Sequence, residues 1–265
     1  MAPAGHPFFL PTTLTMAAML TPLTFAAFSQ CPALSHGIFN RHGGVSPAPY
    51  DSLNVSHGVD DDPQLVKKNR ERIKRSLGVD VLVSGRQVHG SQVQVIAEKP
   101  VEDVEIAGCD AFISNVAGVG LLIQQADCQA VMLFDPHRRV AANIHCGWRG
   151  SVSNIIAATI RVMTEAFATE PAHLLAAISP SLGPCCAEFV NFQQELPDHF
   201  HPFQVKPRYF DFRAISRRQL EETGVRPENI SAATICTVCD PNWFSYRREK
   251  KTGRFCSVIG VKSKK

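Results

Sequence analysis

Long apolar runs separated by short polar breaks occupy the middle of the chain. Three of them lie between residues 118 and 150, in GVGLLIQQADCQAVMLFDPHRRVAANIHCGWRG. A polar break containing Asp127 and Cys128 separates the first run from the second, and His145 ends the third. Apolar runs of this length predict strands that are covered on both faces. Because α/β folds place chemistry where buried strands end, this segment offers the first site residues to consider.

Helical patterns lie on both sides of these runs. The first predicted helix begins at Asp62 with Pro63 in its first turn and ends near Gly78. Apolar residues at helical spacing over residues 152–167 predict one long helix after the GWRG turn. A third helix is predicted over residues 212–222, before Gly224. These helices are amphipathic, so we expect them to cover sheets.

Shorter apolar runs complete the pattern. Strands are predicted at residues 79–83, 93–96, 174–178 and 230–235, and a C-terminal β-hairpin is predicted from FSYRR, a KTG turn and residues 255–261. Strands and helices are mixed without the regular alternation of a dinucleotide-binding domain. The predicted fold class is therefore α/β of the mixed α+β kind, a layered sandwich of mixed β-sheets covered by helices in a single large domain.

Length and composition agree with one large domain. The chain has 265 residues, of which 45% are hydrophobic and 19% charged, as in ordinary globular proteins. Residues 1–30 are apolar but interrupted by prolines, with no basic leader and no apolar run long enough for a membrane span. We interpret residues 1–30 as an extension that need not be structured, and residues 31–265 as the domain.

Charge and cysteine content indicate which partners and which cellular compartment to expect. The net charge of +3, without an aromatic–basic module, argues against nucleic acid as a partner, and no membrane association is expected. Nine cysteines, an odd number spread over a long chain, indicate reduced thiols in a cytoplasmic protein. Cys236 and Cys239 form a C-x-x-C, but Cys185 and Cys186 have unsuitable spacing for the second pair of a zinc ribbon. We therefore expect no structural metal there.

A histidine, a cysteine and a second histidine each stand near the end of a predicted strand. They are His89 in RQVHG, Cys128 and His145. Each alone has an ordinary interpretation: a polar turn histidine, a small buried thiol and a core histidine. Together they suit a zinc site with three protein ligands and one open position, the arrangement of catalytic zinc.

An anion site is a further hypothesis. Arg149 follows Trp148 at a predicted helix start, where free backbone N–H groups and a guanidinium suit phosphate or carboxylate. The alternative is a cation–π pair between Arg149 and Trp148, and both interpretations are compatible. Arg41, in a glycine-rich loop, offers a second guanidinium for the same anion.

The motifs together resemble a known family. HGIFNRHGGVSPAPYDSLNVSHGVDDDP, RQVHGSQV, CDAFISN, GVGLLIQQADCQAVMLFDP, IHCGWRG, GPCCAEF, ICTVCDP and FSYRREKKTGR occur in order between His36 and Val261. They resemble the YfiH or laccase-domain family, also called the polyphenol oxidase, multifunctional purine nucleoside phosphorylase or peptidoglycan editing factor family. The resemblance covers nearly the whole chain after residue 30, and the combination of QVHG, ADC and H-x-GWRG is highly specific.

The resemblance implies a layered α/β fold and a zinc site formed by His89, Cys128 and His145. It also implies pocket roles for Arg41 and Asn54. The implied activities are phosphorolysis of adenosine, inosine and methylthioadenosine, and deamination of adenosine. The implied partners are therefore a purine nucleoside and phosphate, in a monomer or homodimer.

Two further site roles are predicted. Asp127 is a possible proton shuttle beside the predicted ligand Cys128, and Gln87 of the QVHG block, together with Arg149, is predicted to bind substrate. The expected cofactor is Zn²⁺, with copper as the alternative metal.

Two other activities stay open. One is a zinc amidase that edits serine-containing peptidoglycan precursors such as UDP-MurNAc-Ser. The other is a metal-free Cys–His hydrolase with Cys128 as nucleophile and a histidine as base. A non-enzymatic metal-binding protein is a third alternative. Cys146 replaces the alanine of the usual HAGWRG, and this and smaller departures in NRHGG and GPCCAEF leave the substrate undecided.

Overall fold

The computed structural model describes residues 20–263. Its helices are α1 (Ala26–Ser29), α2 (Pro63–Leu77), α3 (Trp148–Val152), α4 (Ile155–Phe167), α5 (Phe192–Glu195), α6 (Phe212–Glu222) and α7 (Tyr246–Glu249), with 3₁₀ turns at Pro171–His173, Asp198–Phe203 and Pro227–Asn229. Its strands are β1 (Leu34–Phe39), β2 (Val81–Arg86), β3 (Val93–Val95), β4 (Val104–Ala107), β5 (Ala111–Ser114), β6 (Val119–Gln125), β7 (Gln129–Asp135), β8 (Val140–Cys146), β9 (Leu175–Ile178), β10 (Gln204–Lys206), β11 (Tyr209–Phe210), β12 (Ile230–Ala232) and β13 (Phe255–Val261).

Two mixed sheets form the framework. The first has five strands in the order β1-β13-β6-β2-β4, antiparallel at β1-β13-β6 and parallel at β6-β2-β4. The second has six strands in the order β12-β9-β7-β8-β5-β3, parallel only at its two outer pairs. Strands β10 and β11 form a separate two-stranded ribbon. The chain crosses from the first sheet to the second between β6 and β7.

The two sheets pack face to face, and helices cover their outer faces. Leu121 and Ile259 of the first sheet lie in one buried cluster with Met132 of the second. On the outside, α4 and α6 cover the second sheet, and Ile73 of α2 packs on the first sheet. The predicted sandwich of mixed sheets covered by helices is therefore confirmed.

The central strands are buried at every position, as their continuous apolar runs predict. Strands β6, β7, β8 and β13 contain no exposed residue because sheets or helices cover both faces. Their few polar side chains bond across the sandwich. The Asn143 amide donates to the Leu121 carbonyl at 2.8 Å and to the Ser257 carbonyl at 2.9 Å. Such bonds fix the register of one sheet over the other.

The helix predictions are correct at two places and need a correction at a third. Helices α2 and α6 match the predicted segments, and the Asp62 side chain caps α2 by accepting from the Gln64 N–H. The single helix predicted after GWRG is two helices, α3 and α4. Asn154 separates them because it adopts a left-handed conformation (φ 52°) and its side chain caps α4.

The predicted C-terminal hairpin is wrong. Its second strand exists as β13, but β13 pairs with β1 on one side and β6 on the other. Both edges of β13 are thus taken, and the segment predicted as its partner forms α7 instead. The Ser245 side chain caps α7, and the Arg248 guanidinium donates to the carbonyls of Thr237, Val238 and Trp243.

Part of the predicted N-terminal extension belongs to the folded domain. Leu23 pairs with Ile38 of β1, and Phe28 is 1% exposed in the core between the sheets. Residues 20–30 are therefore structured, and residues 1–19 lie outside the described residues. Within residues 20–263, none of the helices has the length and apolar character that crossing a bilayer requires.

Candidate active site

His89, Cys128 and His145 converge at one point, although they come from three segments of the chain. Their ligand atoms all lie within 4.8 Å of one another, and Cys128 Sγ is 3.8 Å from His89 Nε2. His89 follows β2, Cys128 immediately precedes β7, and His145 lies near the end of β8. His145 is buried, Cys128 is half-buried and His89 is exposed. The group is thus anchored on the inside and open to solvent on the outside.

Asp110 orients this group and was missed by the sequence analysis. Its carboxylate lies 2.7 Å from His145 Nδ1, which leaves His145 Nε2 free to face Cys128 and His89. The same carboxylate accepts the backbone N–H groups of Val88, His89 and Gly90 at 3.0–3.2 Å. One fully buried side chain therefore fixes one histidine ring and the loop that bears the other. This is the usual carboxylate support of a metal-binding histidine.

Gly147 makes the convergence sterically possible. A Cβ atom at this position would lie 2.8 Å from His89 Cδ2 and 3.2 Å from Cys128 Sγ. Real Cβ atoms do not approach carbon at 2.8 Å, so any larger residue would displace the His89 ring. The glycine of the GWRG motif therefore admits two of the three donor side chains.

The electrostatics of the group favour a thiolate. Burial alone raises the pKa of Cys128, but the His145 and His89 imidazoles lower it to about 6. Burial lowers the pKa of His145, whereas Cys128 and Asp110 raise it to about 9. Without a metal the pair is therefore a thiolate and an imidazolium at neutral pH. A thiolate is the form of cysteine that binds metals, and a bound cation takes the place of the imidazole proton.

The group faces a cavity of about 690 Å³. Trp148, Phe189 and Phe212 form an aromatic side of this cavity, and Arg247 and Arg254 also line it. Among the described residues, neither guanidinium forms an ion pair with a carboxylate: Arg247 donates to the Glu188 carbonyl, and Arg254 donates to the carbonyls of residues 252 and 253. Flat apolar rings next to unpaired positive charge suit a ligand with a planar base and an anionic group.

Asp127 lines the same cavity, and its carboxylate bonds to two other segments of the chain. Its Oδ1 accepts from the Thr237 hydroxyl at 2.7 Å, and its Oδ2 accepts from the Arg247 N–H at 2.6 Å. Asp127 has a φ of 92°, so the residue before Cys128 turns its carboxylate towards the segment that bears Arg247. The predicted catalytic residue Asp127 thus lines the same cavity as His89, Cys128 and His145.

Gln87 also lines the cavity, but its amide is already engaged. It accepts from the Gln124 N–H at 2.8 Å and donates to the Gln124 carbonyl at 2.9 Å. These two hydrogen bonds to the backbone of one residue attach the start of the His89 loop to the end of β6. The geometry therefore gives Gln87 a positioning role for that loop.

Arg41, Asn54 and Arg149 are not among the described residues that line the cavity. Arg41 pairs with Glu249 at 2.8 Å, and Asn54 is fully buried and accepts the Arg254 N–H at 2.8 Å. Both therefore contact the 246–254 segment without lining the cavity. Arg149 stacks on Trp148 with its guanidinium carbon 4.5 Å from the ring centroid, as the cation–π alternative expects. Helix α3 has only five residues, which gives no support to an anion site at its start.

Two guanidiniums that do line the cavity, those of Arg247 and Arg254, were overlooked in the sequence. The block FSYRREKKTGR contains both, but it was predicted as part of a hairpin. Three arginines in such a short polar block could have suggested an anion-binding segment.

Comparison with known proteins identifies the family. The family model described as "Multi-copper polyphenol oxidoreductase laccase" matches residues 35–262. The chain belongs to this family. A protein of Streptomyces coelicolor named purine nucleoside phosphorylase is 34% identical over 235 residues, covering 84% of this chain and 93% of the relative. Bacillus subtilis YlmD, also named purine nucleoside phosphorylase, is 30% identical over 275 residues, covering 97% of this chain and 98% of YlmD.

Solved structures agree with this family assignment. The crystal structure of the Bacillus licheniformis hypothetical protein YfiH has a TM-score of 0.80 at 25% identity and covers 86% of this chain and 93% of that one. Geobacillus stearothermophilus YlmD has a TM-score of 0.79 at 27% identity, with coverages of 90% and 94%. The resemblance found in the sequence motifs is therefore confirmed.

Proposed function

We propose that this member of the family is a zinc-dependent purine nucleoside phosphorylase that also deaminates adenosine. The substrates are adenosine, inosine and methylthioadenosine. The observation that supports this most is the group of His89, Cys128 and His145 at the edge of a cavity with aromatic rings and two unpaired guanidiniums. The names of the relatives, purine nucleoside phosphorylase, point to the same substrate class.

The donor set fits zinc. One thiolate and two imidazoles are zinc ligands, and three of them leave one position open. Asp110 engages His145 Nδ1 and so orients that ring, and the same carboxylate accepts the backbone N–H of His89, which positions the loop that bears the other ring before a metal binds. A zinc ion held there would supply an activated water and a polarising charge beside the substrate. Because imidazole and thiolate also bind copper, metal analysis has to accompany every assay.

In phosphorolysis, the guanidiniums of Arg247 and Arg254 bind the phosphate. A phosphate oxygen forms a bond to the anomeric carbon of the ribose as the bond from that carbon to the purine nitrogen breaks. The purine leaves with the bonding electron pair and takes up the proton that the hydrogen phosphate gives up. Trp148, Phe189 and Phe212 hold the planar base against one side of the cavity. These residues act by positioning the reactants and by stabilising negative charge.

In deamination, Asp127 is the proton-transfer residue. Water adds to C6 of adenine and the amino group leaves as ammonia, which requires a proton to move from the water to the amino nitrogen. The Asp127 carboxylate adjoins Cys128 in sequence and lines the cavity, and its two oxygens are held by Thr237 and the Arg247 N–H. A carboxylate fixed in this way is a suitable carrier for that proton.

The test is a product analysis on purified protein whose metal content has been measured. Adenosine is offered with and without phosphate, and adenine, ribose 1-phosphate and inosine are separated. Cys128→Ala should abolish the formation of all three products, whereas the matched control Cys31→Ala, which lies outside the group of His89, Cys128 and His145, should not. Adenine that forms equally without phosphate would contradict the phosphorylase assignment.

Chelation separates the metal enzyme from the metal-free alternative. A zinc site loses activity when the metal is removed and regains it when zinc returns. A Cys128 nucleophile with a histidine base would keep its activity, because its thiolate–imidazolium pair needs no metal. The amidase implied by the resemblance stays a prediction, tested by offering UDP-MurNAc-Ser to the same preparation.

A further inference from the structure

A second group of metal-competent side chains lies outside the site described above. It consists of Cys185, Cys186, Cys236 and Cys239, called here the cysteine cluster, and the four sulfur atoms lie within 4.8 Å of one another. Cys239 Sγ is 3.7 Å from Cys185 Sγ and 3.6 Å from Cys186 Sγ. Sequence spacing alone argued against such a group, because the first two cysteines are adjacent.

The sulfur separations match the edges of a zinc–sulfur tetrahedron. With zinc–sulfur bonds of about 2.3 Å, two sulfurs of a regular tetrahedron are about 3.8 Å apart. The separations of Cys239 Sγ from Cys186 Sγ and Cys185 Sγ, 3.6 and 3.7 Å, agree with this value. A disulfide needs sulfurs about 2.0 Å apart and would use only two of the four thiols. The arrangement therefore suits one ion held by four thiolates better than a disulfide.

The topology explains how distant cysteines meet. Strands β9 and β12 are parallel neighbours, and the pairing continues beyond their ends as a bridge between Ser181 and Cys236. The Thr237 N–H donates to the Ser181 carbonyl at 3.0 Å. The two cysteine pairs follow these strands at the same sheet edge. Residues 184–186 form a turn, which directs both adjacent sulfurs towards Cys239.

Local details favour a charged sulfur at Cys236. The Gly183 N–H donates to Cys236 Sγ at 3.3 Å, a bond that stabilises a thiolate. A Cβ atom on Gly183 would lie 2.8 Å from Cys236 Cβ and 3.1 Å from its Sγ, so the close approach depends on this glycine. In the same way as Gly147 at the first site, Gly183 admits a donor side chain.

We propose that the cysteine cluster binds a second, structural zinc ion. Four thiolates complete the coordination of zinc and leave no position for substrate, which distinguishes this site from the open group of His89, Cys128 and His145. The soft donors select zinc over magnesium or calcium. The site joins two loops that contain no regular secondary structure. The first loop lines the cavity, and the second contacts Asp127, which lines it.

The proposed ion would stabilise one wall of the cavity. On the first loop, Ser181 and Leu182 line the cavity, and the Leu182 N–H donates to the Asp127 carbonyl at 2.8 Å. On the second loop, the Thr237 hydroxyl donates to the Asp127 carboxylate. A cross-link at the cysteine cluster therefore holds two of the three groups that bond to Asp127, the Leu182 N–H and the Thr237 hydroxyl.

The test counts zinc in the wild-type protein and in matched variants. Native mass spectrometry with elemental analysis should give two zinc ions in the wild type and one in Cys239→Ser. Cys128→Ala should also retain one, at the cysteine cluster, and Cys31→Ser should retain two. If Cys239→Ser binds as much zinc as the wild type, the proposal is overturned. If Cys128→Ala loses one zinc ion and Cys239→Ser loses none, the ion belongs to the site of His89, Cys128 and His145, and the proposal for the cysteine cluster is overturned.

Cobalt spectra and thiol titration complement the zinc count, and the thiol titration needs no variant. Wild-type protein loaded with cobalt should show intense visible and near-ultraviolet thiolate bands, which Cys128→Ala retains because four sulfurs remain at the cysteine cluster. Thiol titration of the native zinc protein should find Cys185 and Cys239 unreactive although both are exposed, and reactive after chelation. Free reaction of both thiols in the zinc-loaded protein, or a disulfide between them, would overturn the proposal.

Discussion

Replacing Asp110 by asparagine tests the mechanism by which the first metal site is held together. The change keeps the size of the side chain but removes its charge. Asp110 and His145 are 0% and 2% exposed, and the carboxylate accepts from the imidazole and from three backbone N–H groups. An asparagine offers one acceptor oxygen, and its NH₂ group would face N–H donors. At least one buried donor is therefore left without a partner.

The expected losses can be estimated for metal binding and for folding separately. Removing the carboxylate partner of a metal-binding histidine lowers metal affinity about 10- to 100-fold, or about 1.4–2.8 kcal/mol. Breaking a buried ion pair lowers the free energy of unfolding by about 3–5 kcal/mol. We expect Asp110→Asn to lower zinc affinity and the free energy of unfolding by these amounts. The loss of stability should appear in metal-free protein at neutral pH, where His145 is charged.

The assay is a zinc competition titration with a chromophoric chelator, together with urea unfolding of the metal-free protein. Cys239→Ser serves as the background, so that only the first site is titrated. Asp135→Asn is the matched control, because Asp135 is 1% exposed and accepts the backbone N–H groups of His137 and Arg138. It should lose stability and keep its zinc affinity. Equal zinc affinities in the two variants would refute the orienting role of Asp110.

Three further predictions address the thiolate, the anion site and the steric fit. Alkylation of Cys128 in metal-free protein should rise with pH around a midpoint of about 6, because the two imidazoles lower the pKa of this thiol. Burial raises the pKa of Cys31, so this control thiol should react only at higher pH. Peptide mass spectrometry measures the alkylation of both cysteines. Arg254→Met should raise the KM for phosphate at least 10-fold, a loss of about 1.4 kcal/mol for one charged contact, and leave adenosine deamination within about twofold. The exposed control Arg161→Met should change neither activity. Equal losses of both activities in Arg254→Met would count against the phosphate role. Gly147→Ala should weaken zinc binding about 10- to 100-fold, because its Cβ would meet a carbon of the His89 ring at 2.8 Å and a ligand that loses its orientation lowers metal affinity by about this factor. Unchanged zinc affinity would show that the ring can move without cost.

The apolar runs were sufficient to predict the layers of this fold, because sheets covered on both faces leave an unambiguous pattern. Strands β6, β7 and β8 were visible for that reason. The 246–254 segment was not, since its conformation depends on carbonyls elsewhere that accept from Arg248. A periodicity analysis contains no information about such partners, and so the segment was predicted as part of a hairpin.

The convergence of His89, Cys128 and His145 could be predicted, but the contacts that support it could not. Each donor stands beside a recognisable strand end, whereas the contact between Asp110 and His145 spans 35 residues and arises from the pairing of β5 with β8. A signal was present: Asp110 is an acidic residue directly before a buried apolar run. The cysteine cluster left a comparable signal, with a cysteine pair after each of two strands, which acquires meaning only once β9 and β12 are known to be parallel neighbours.

The position of the first site follows from the way the chain passes between the two sheets. His89 follows β2 of the first sheet, His145 lies in β8 of the second, and Cys128 lies where the chain crosses from β6 to β7. The donors thus belong to both sheets, and Asp110, at the start of β5, accepts from the loop of one sheet and the histidine of the other. Any shift of one sheet over the other would separate the donors. The buried Asn143 amide, which bonds from β8 to both β6 and β13, opposes such a shift. The polar contacts inside the sandwich therefore serve the geometry of the site at its edge.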